Sequence, residues 1–139
     1  MKYLLDTNTC IFLMKGNVDV LERYFELRDF GLAISSITVA ELYYGVYNSC
    51  HVEKNGKNLT NFLIGLNILD VDSGVAMEYG RICADLRKKG TPIGQLDMFI
   101  AAHALSKGLI LVTNNTKEFE RIDGLFFEDW MQSTKNLTS

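Results

Sequence analysis

Residues 95–115 read QLDMFIAAHALSKGLILVTNN, and this stretch contains one complete helix-to-strand step. Gln95 to Lys107 is rich in apolar side chains and good helix formers, and Gly108 stops it. A cation followed by glycine suits the carbonyl end of a helix. Leu109–Thr113 comes next, the most hydrophobic run in the chain, and it shows no polar alternation. A short run of that kind, reached directly from a helix, predicts a buried strand of a parallel sheet. Asn114 and Asn115 end it in polar residues.

The same step recurs on either side. Strands are predicted at residues 2–5, 32–35, 68–71 and 109–113, with a last one near 125–128. Helices are predicted at 10–14 behind the capping side chains of Thr7, Asn8 and Thr9, and at 17–29 ahead of Gly31. Another starts at Ser35 or Ser36 and carries Val39, Leu42, Tyr43, Val46 and Tyr47 as its apolar stripe. Further helices are expected at 59–66, 76–89 and 117–121. The one at 76–89 places Met77, Tyr79, Gly80, Ile82, Cys83 and Leu86 inward and closes on Arg87-Lys88-Lys89-Gly90. Residues 48–58 are polar, include Gly56, and read as a helix junction or a hairpin. Strands separated by helices imply an α/β fold with a parallel sheet covered on both faces. One domain over residues 1–131 and a polar tail over 132–139 are expected.

Composition narrows the function classes. With 139 residues, 47% hydrophobic and 22% charged, the chain has enough apolar surface for one core, which excludes disorder and low complexity. A net charge of −3 excludes a globally basic nucleic-acid coat but leaves room for a locally basic site. Cys10, Cys50 and Cys83 are odd in number and scattered, which fits free, buried thiols in a reducing compartment. No signal peptide and no apolar run of about 20 residues is read, so a soluble, cytoplasmic protein with no membrane contact is expected.

In open parallel sheets, ligands bind beyond the carboxyl ends of the strands, where strand order reverses. Asp6 ends the first strand, and Asn114 and Asn115 follow the fourth. Glu41 and Asp97 lie in helices among apolar neighbours. Singly, each acid has a plain reading: Asp6 caps the next helix, Asp97 complements a helix N-terminus, and Glu41 is solvated. Together they would repel one another unless a cation lies among them, and carboxylate oxygens suit Mg²⁺ or Mn²⁺ rather than Zn²⁺. His103 shares a helical face with Leu96, Phe99 and Ile100 and reads as a packed histidine with a satisfied ring nitrogen. His51 reads as solvated. No phosphate-binding glycine loop is present. Lys117 and Arg121 follow Asn114-Asn115 and are placed to face phosphates.

At four places the sequence resembles PIN-domain ribonucleases, and more narrowly the VapC toxins of type II toxin–antitoxin systems. They are Leu4-Leu5-Asp6-Thr7-Asn8, Val39-Ala40-Glu41-Leu42-Tyr43-Tyr44-Gly45, the run from Pro92 to Ala104, and the run from Val112 to Phe119. Their order and spacing match along the chain to about Trp130. The resemblance implies a three-layer α/β/α domain and a Mg²⁺- or Mn²⁺-dependent endoribonuclease. Asp6, Glu41 and Asp97 would be its metal-site carboxylates, with Thr7 and Thr113 hydrogen-bonded to carboxylates or waters beside them. Many relatives carry a fourth acid where this chain has Asn115, an amide that supplies no charge. Glu118 is then the acid expected to compensate, with one firmly bound cation and a second recruited with substrate.

The resemblance also implies partners. These are an RNA substrate, with initiator tRNA among the candidates, and a VapB antitoxin whose C-terminal segment occupies the active-site groove and puts a cationic group among the carboxylates. A homodimer and a toxin–antitoxin hetero-oligomer are implied as well. Phe12, Leu13, Tyr43, Tyr44 and Tyr47 would line the groove or the dimer seam, or else pack in the core. The alternative to an enzyme is a catalytically dead PIN-like module that binds RNA or protein.

Overall fold

The computed structural model describes residues 2–131. Five strands form its centre: β1 (Tyr3–Leu5), β2 (Leu32–Ser35), β3 (Asn67–Leu69), β4 (Ile110–Val112) and β5 (Phe127–Glu128). They lie in the order β3-β2-β1-β4-β5, and every pairing is parallel. The helices are α1 (Thr7–Met14), α2 (Val18–Leu27), α3 (Ser36–Tyr47), α4 (Val52–Ile64), α5 (Ser73–Lys89), α6 (Gln95–Lys107) and α7 (Thr116–Phe119), with a 3₁₀ turn at Arg28–Phe30. The expected tail over 132–139 lies outside the described residues.

Alternation along the strands builds two cores. Leu4, Ala33 and Leu111 face one side and pack with Val75, Ile82 and Leu86 of α5, Ile100, Ala101 and Ala104 of α6, and Phe119 of α7. Tyr3, Leu5, Leu32, Ile34 and Val112 face the other, against Cys10 and Leu13 of α1, Val20 of α2, Leu42 and Val46 of α3, and Leu59 of α4. The sheet is thus the middle of three α/β/α layers. β1 and β2 are buried throughout, and fully burying each such leucine or isoleucine stabilises by about 1.5–3 kcal/mol. β3 and β5, at the edges, are less covered. The strand order reverses at β1, whose carboxyl end, with that of β4, opens into the crevice where such sheets bind ligands.

Helix ends follow the sequence closely at α5 and α6. Gly90 (φ +70°) and Gly108 (φ +66°) close them in the left-handed conformation that a side chain disfavours.

Other expectations need correcting. The cap of α1 is Asp6, and Thr7, Asn8 and Thr9 lie inside the helix. Residues 48–58 are no hairpin: α4 begins at Val52, and Leu59 buries against the core while Asn55 Nδ2 donates to Ser49 Oγ at 2.9 Å. α5 begins at Ser73, behind an Asp72 cap. Met77 points outward, 77% exposed, because the stripe that buries runs through Val75, Ile82 and Leu86. Tyr44 and Tyr47 are likewise exposed, and only Leu13 of the proposed groove or seam set is buried core. Cys10 is buried and Cys83 half-buried, but Cys50 is exposed, since it lies in the α3–α4 junction.

Candidate active site

Asp6 leaves β1 at its carboxyl end, is 4% exposed, and uses its carboxylate twice over. Oδ1 accepts the backbone N–H of Thr9 at 2.8 Å, which caps α1. The Thr113 hydroxyl, at the end of β4, also bonds the carboxylate. Burial pushes the Asp6 pKa up; the bonds from Thr113 and Thr9 oppose the shift, and the charge of Glu41 adds to it. The plain capping role is therefore real, but it does not consume the group. A buried carboxylate near a second one is a costly way to end a helix.

Glu41 sits on α3 and is fixed from α1. Thr7 Oγ1 donates to Glu41 Oε1 at 2.6 Å and lies 3.4 Å from Thr38 Oγ1. Asp97 occupies the first turn of α6. Its pKa rises from 3.8 to about 6, first through burial and then through the charges of Glu118, Asp6 and Glu41, and it shares a hydrogen bond with Glu118. Four acids from α1's cap, α3, α6 and α7 therefore act on one another in a single crevice. Among the described residues no ion pair includes any of them.

That excess of negative charge is the feature a cation would relieve, and the donors are hard carboxylate oxygens. Among the described residues no three His, Cys, Asp or Glu side chains are gathered tightly enough to enclose a metal ion. The residues fit a divalent cation by donor type and charge, and a bound cation would draw them together.

Asn115 is half-buried, its backbone N–H bonded to Thr113 Oγ1 at 3.0 Å, and Asn114 is exposed. Both flank the crevice. Lys117 is exposed and joins no ion pair among the described residues, whereas Arg121 donates to the Pro92 carbonyl at 3.3 Å on the connection leading into α6. His103 is buried; its Nδ1 lies 2.8 Å from Ser35 Oγ, and Nε2 has no partner among the described residues. His51 is exposed.

Sequence reasoning took Thr9 only as a helix-capping side chain and missed Thr38; both are buried and part of the scaffold around the acids. Their signal was spacing: Thr9 stands three residues after Asp6, as a capped N–H does, and Thr38 stands three before Glu41, on one helical face.

A groove of about 940 Å³ runs beside the acids, with Ile11, Met14, Leu42, Val46 and Phe62 among its lining and Lys15 at its edge. It includes none of the four carboxylates. Its lining adjoins theirs in sequence, since Leu42 is the residue after Glu41 on α3 and Ile11 stands four residues after Thr7 on α1. The chemistry belongs to the acid cluster, and the groove is an adjoining surface.

Residues 3–125 match the family model of the PIN domain. The chain is 46% identical over 130 residues to the tRNA(fMet)-specific endonuclease VapC of Salmonella typhimurium, covering 94% of this chain and 98% of that one. It is 46% identical over 132 residues to ribonuclease VapC2 of Haemophilus influenzae, covering 94% and 99%. Among solved structures, VapBC2 from Rickettsia felis bound to a DNA fragment from its promoter superposes with a TM-score of 0.90 at 40% identity, over 94% of this chain and 99% of that chain.

Proposed function

The chain belongs to the PIN-domain family, in its VapC branch, and from that premise we propose that it is the endoribonuclease toxin of a type II toxin–antitoxin pair, with tRNA as its substrate. The observation that carries the reading is the set of four acids in one crevice, where burial first and then the charges of Glu118, Asp6 and Glu41 raise the Asp97 carboxyl to about 6. We assign the metal-binding role to Asp6, Glu41 and Asp97, with Glu118 supplying the charge that Asn115 does not. Bound there, Mg²⁺ or Mn²⁺ would acidify an attacking water and stabilise the charge that builds on a phosphate.

The chain's own residues do the rest. Thr7 and Thr113 hold the Glu41 and Asp6 carboxylates in fixed orientations, and fixed ligands lose less entropy when a cation arrives. Buried Asp6 is shielded from water, which strengthens each electrostatic contact it makes. Lys117 and Arg121 meet the RNA backbone, where cations bind phosphates without reading sequence. The neighbouring groove takes an apolar segment of the VapB antitoxin, whose cationic group offsets the same carboxylates and so competes with the metal. No helix among the described residues is long and apolar enough to cross a membrane, and the proposed site of action is the cytoplasm. The inert-module reading rested on Asn115, and the charge of Glu118 beside Asp97 supports the enzyme reading against it.

The test uses antitoxin-free protein with tRNA and Mg²⁺, beside an EDTA control and Asp6→Asn. Discrete fragments with 5′-phosphate and 3′-hydroxyl ends, lost in both controls, are expected. Cleavage that survives EDTA and the substitution defeats the metal-carboxylate reading. Intact tRNA beside other, cleaved RNAs defeats the substrate assignment alone.

A further inference from the structure

Ser35 ends β2 and caps α3, accepting the Ile37 backbone N–H at 3.1 Å through Oγ. The same oxygen lies 2.8 Å from Nδ1 of His103 on α6, and both residues are fully buried. Either the serine hydroxyl donates to a bare Nδ1 or an Nδ1–H donates to the oxygen. This is the polar link between the helix that carries Glu41 and the helix that carries Asp97.

Its position relative to the acids is informative. Glu41 is the sixth residue after Ser35, and Asp97 is the sixth before His103. At a rise of 1.5 Å per residue each acid stands about 9 Å from the link along its own helix. α3 and α6 pack together, and Ile37 joins the cluster that holds Ile100 and Ala101. The link lies at one end of this shared stretch and the acids meet at the other, where Asp97 feels the charge of Glu41.

Apolar packing is non-directional and leaves two helices some freedom to slide, whereas a hydrogen bond fixes both distance and angle. Metal ligation needs its donors placed to within about 0.2 Å. His103 is also an expensive core residue: Nε2 is buried without a partner among the described residues, and such a group calls for an explanation. Burial, then Lys107, holds the imidazole pKa below its ordinary value, so the ring stays neutral and adds no charge to the acid cluster.

We propose that the Ser35–His103 hydrogen bond locks the register of α3 against α6, making His103 a positioning residue for the Glu41–Asp97 pair. The proposal rests on the reading of those acids as a metal centre.

The experiment is Mn²⁺ titration calorimetry on antitoxin-free protein, with thermal melts of each variant alongside. His103→Leu and Ser35→Ala should each weaken Mn²⁺ binding by about 10–100-fold, as lost ligand-orienting contacts do. The double variant should lose no more than Ser35→Ala alone, because that change already removes the shared bond together with the α3 cap, and His103→Leu removes only the shared bond. His103→Asn, whose amide reaches the place of Nδ1, should recover most of the affinity. Should His103→Leu fail to fold, Ser35→Ala severs the link with the ring in place and carries the test. Folded variants with wild-type Mn²⁺ affinity and only a lowered Tm overturn the proposal, and so do losses that add. Wild-type protein that neither binds Mn²⁺ nor cleaves tRNA defeats the metal-nuclease reading itself and takes the proposal with it.

Discussion

Replacing Asp97 with asparagine should make the metal-free protein more stable at neutral pH while abolishing its nuclease activity. The carboxyl is raised from 3.8 to about 6 by burial and by Glu118, Asp6 and Glu41. A group whose folded-state pKa is raised contributes stability that is fully present below its unfolded pKa, here about 4, and lost as pH rises through about 6. At about 1.4 kcal/mol per unit the full shift amounts to about 3 kcal/mol. Asp97 is only half-buried, so solvent screening reduces this to about 1–2 kcal/mol. An asparagine never ionises, and its amide can still donate to Glu118. Urea denaturation in EDTA at about pH 5 and about pH 7.5 reads the effect directly. Wild type should weaken between the two, and Asp97→Asn should weaken less and be the more stable at the higher pH. Added Mg²⁺ should narrow or reverse that difference, because a cation offsets the repulsion in wild type only. A variant no more stable than wild type in EDTA at neutral pH would refute the claim that four carboxylates repel one another in this crevice.

Glu118→Gln should lower cleavage by about 10–100-fold with little loss of stability, and Asn115→Asp added to it should restore part of the rate; single-turnover assays on tRNA decide this. Thr7→Val removes the 2.6 Å bond to Glu41, and a raised Mg²⁺ requirement with an unchanged melting temperature is expected, measured by Mg²⁺ titration of cleavage. Phe119, the last residue of α7, is fully buried, so Phe119→Ala should cost about 3–5 kcal/mol by denaturant unfolding. Lys117→Ala should weaken RNA binding and make it less salt-dependent, the slope of log affinity against log salt falling by about one; an unchanged slope removes Lys117 from the phosphate contacts.

The alternation of helix and buried strand was local, and so it was readable. Residues 95–115 announced α6 and β4 because glycine after a cation ends a helix and an uninterrupted apolar run buries as a parallel strand. Asp6, Glu41 and Asp97 stood out for a similar reason, as charges among apolar neighbours. α4 was misread because its first turns are polar and contain Gly56. What holds them helical is α4's packing on α3 and the Asn55–Ser49 bond, neither of which leaves a periodic trace. Met77 was placed inward by counting along α5, yet a helix buries only the stripe its neighbours cover.

Sequence alone thus determined an α/β protein with a covered parallel sheet and which acids to suspect, since propensity and periodicity are properties of short stretches, and its motifs carried the resemblance to the PIN family. That residues 6, 41, 97 and 118 repel one another in one crevice was decided only by the tertiary structure. So was the hydrogen bond between Ser35 and a histidine sixty-eight residues away. Proximity between distant segments follows from how the sheet orders its strands and how the helices pack across them, and no local pattern encodes that distance.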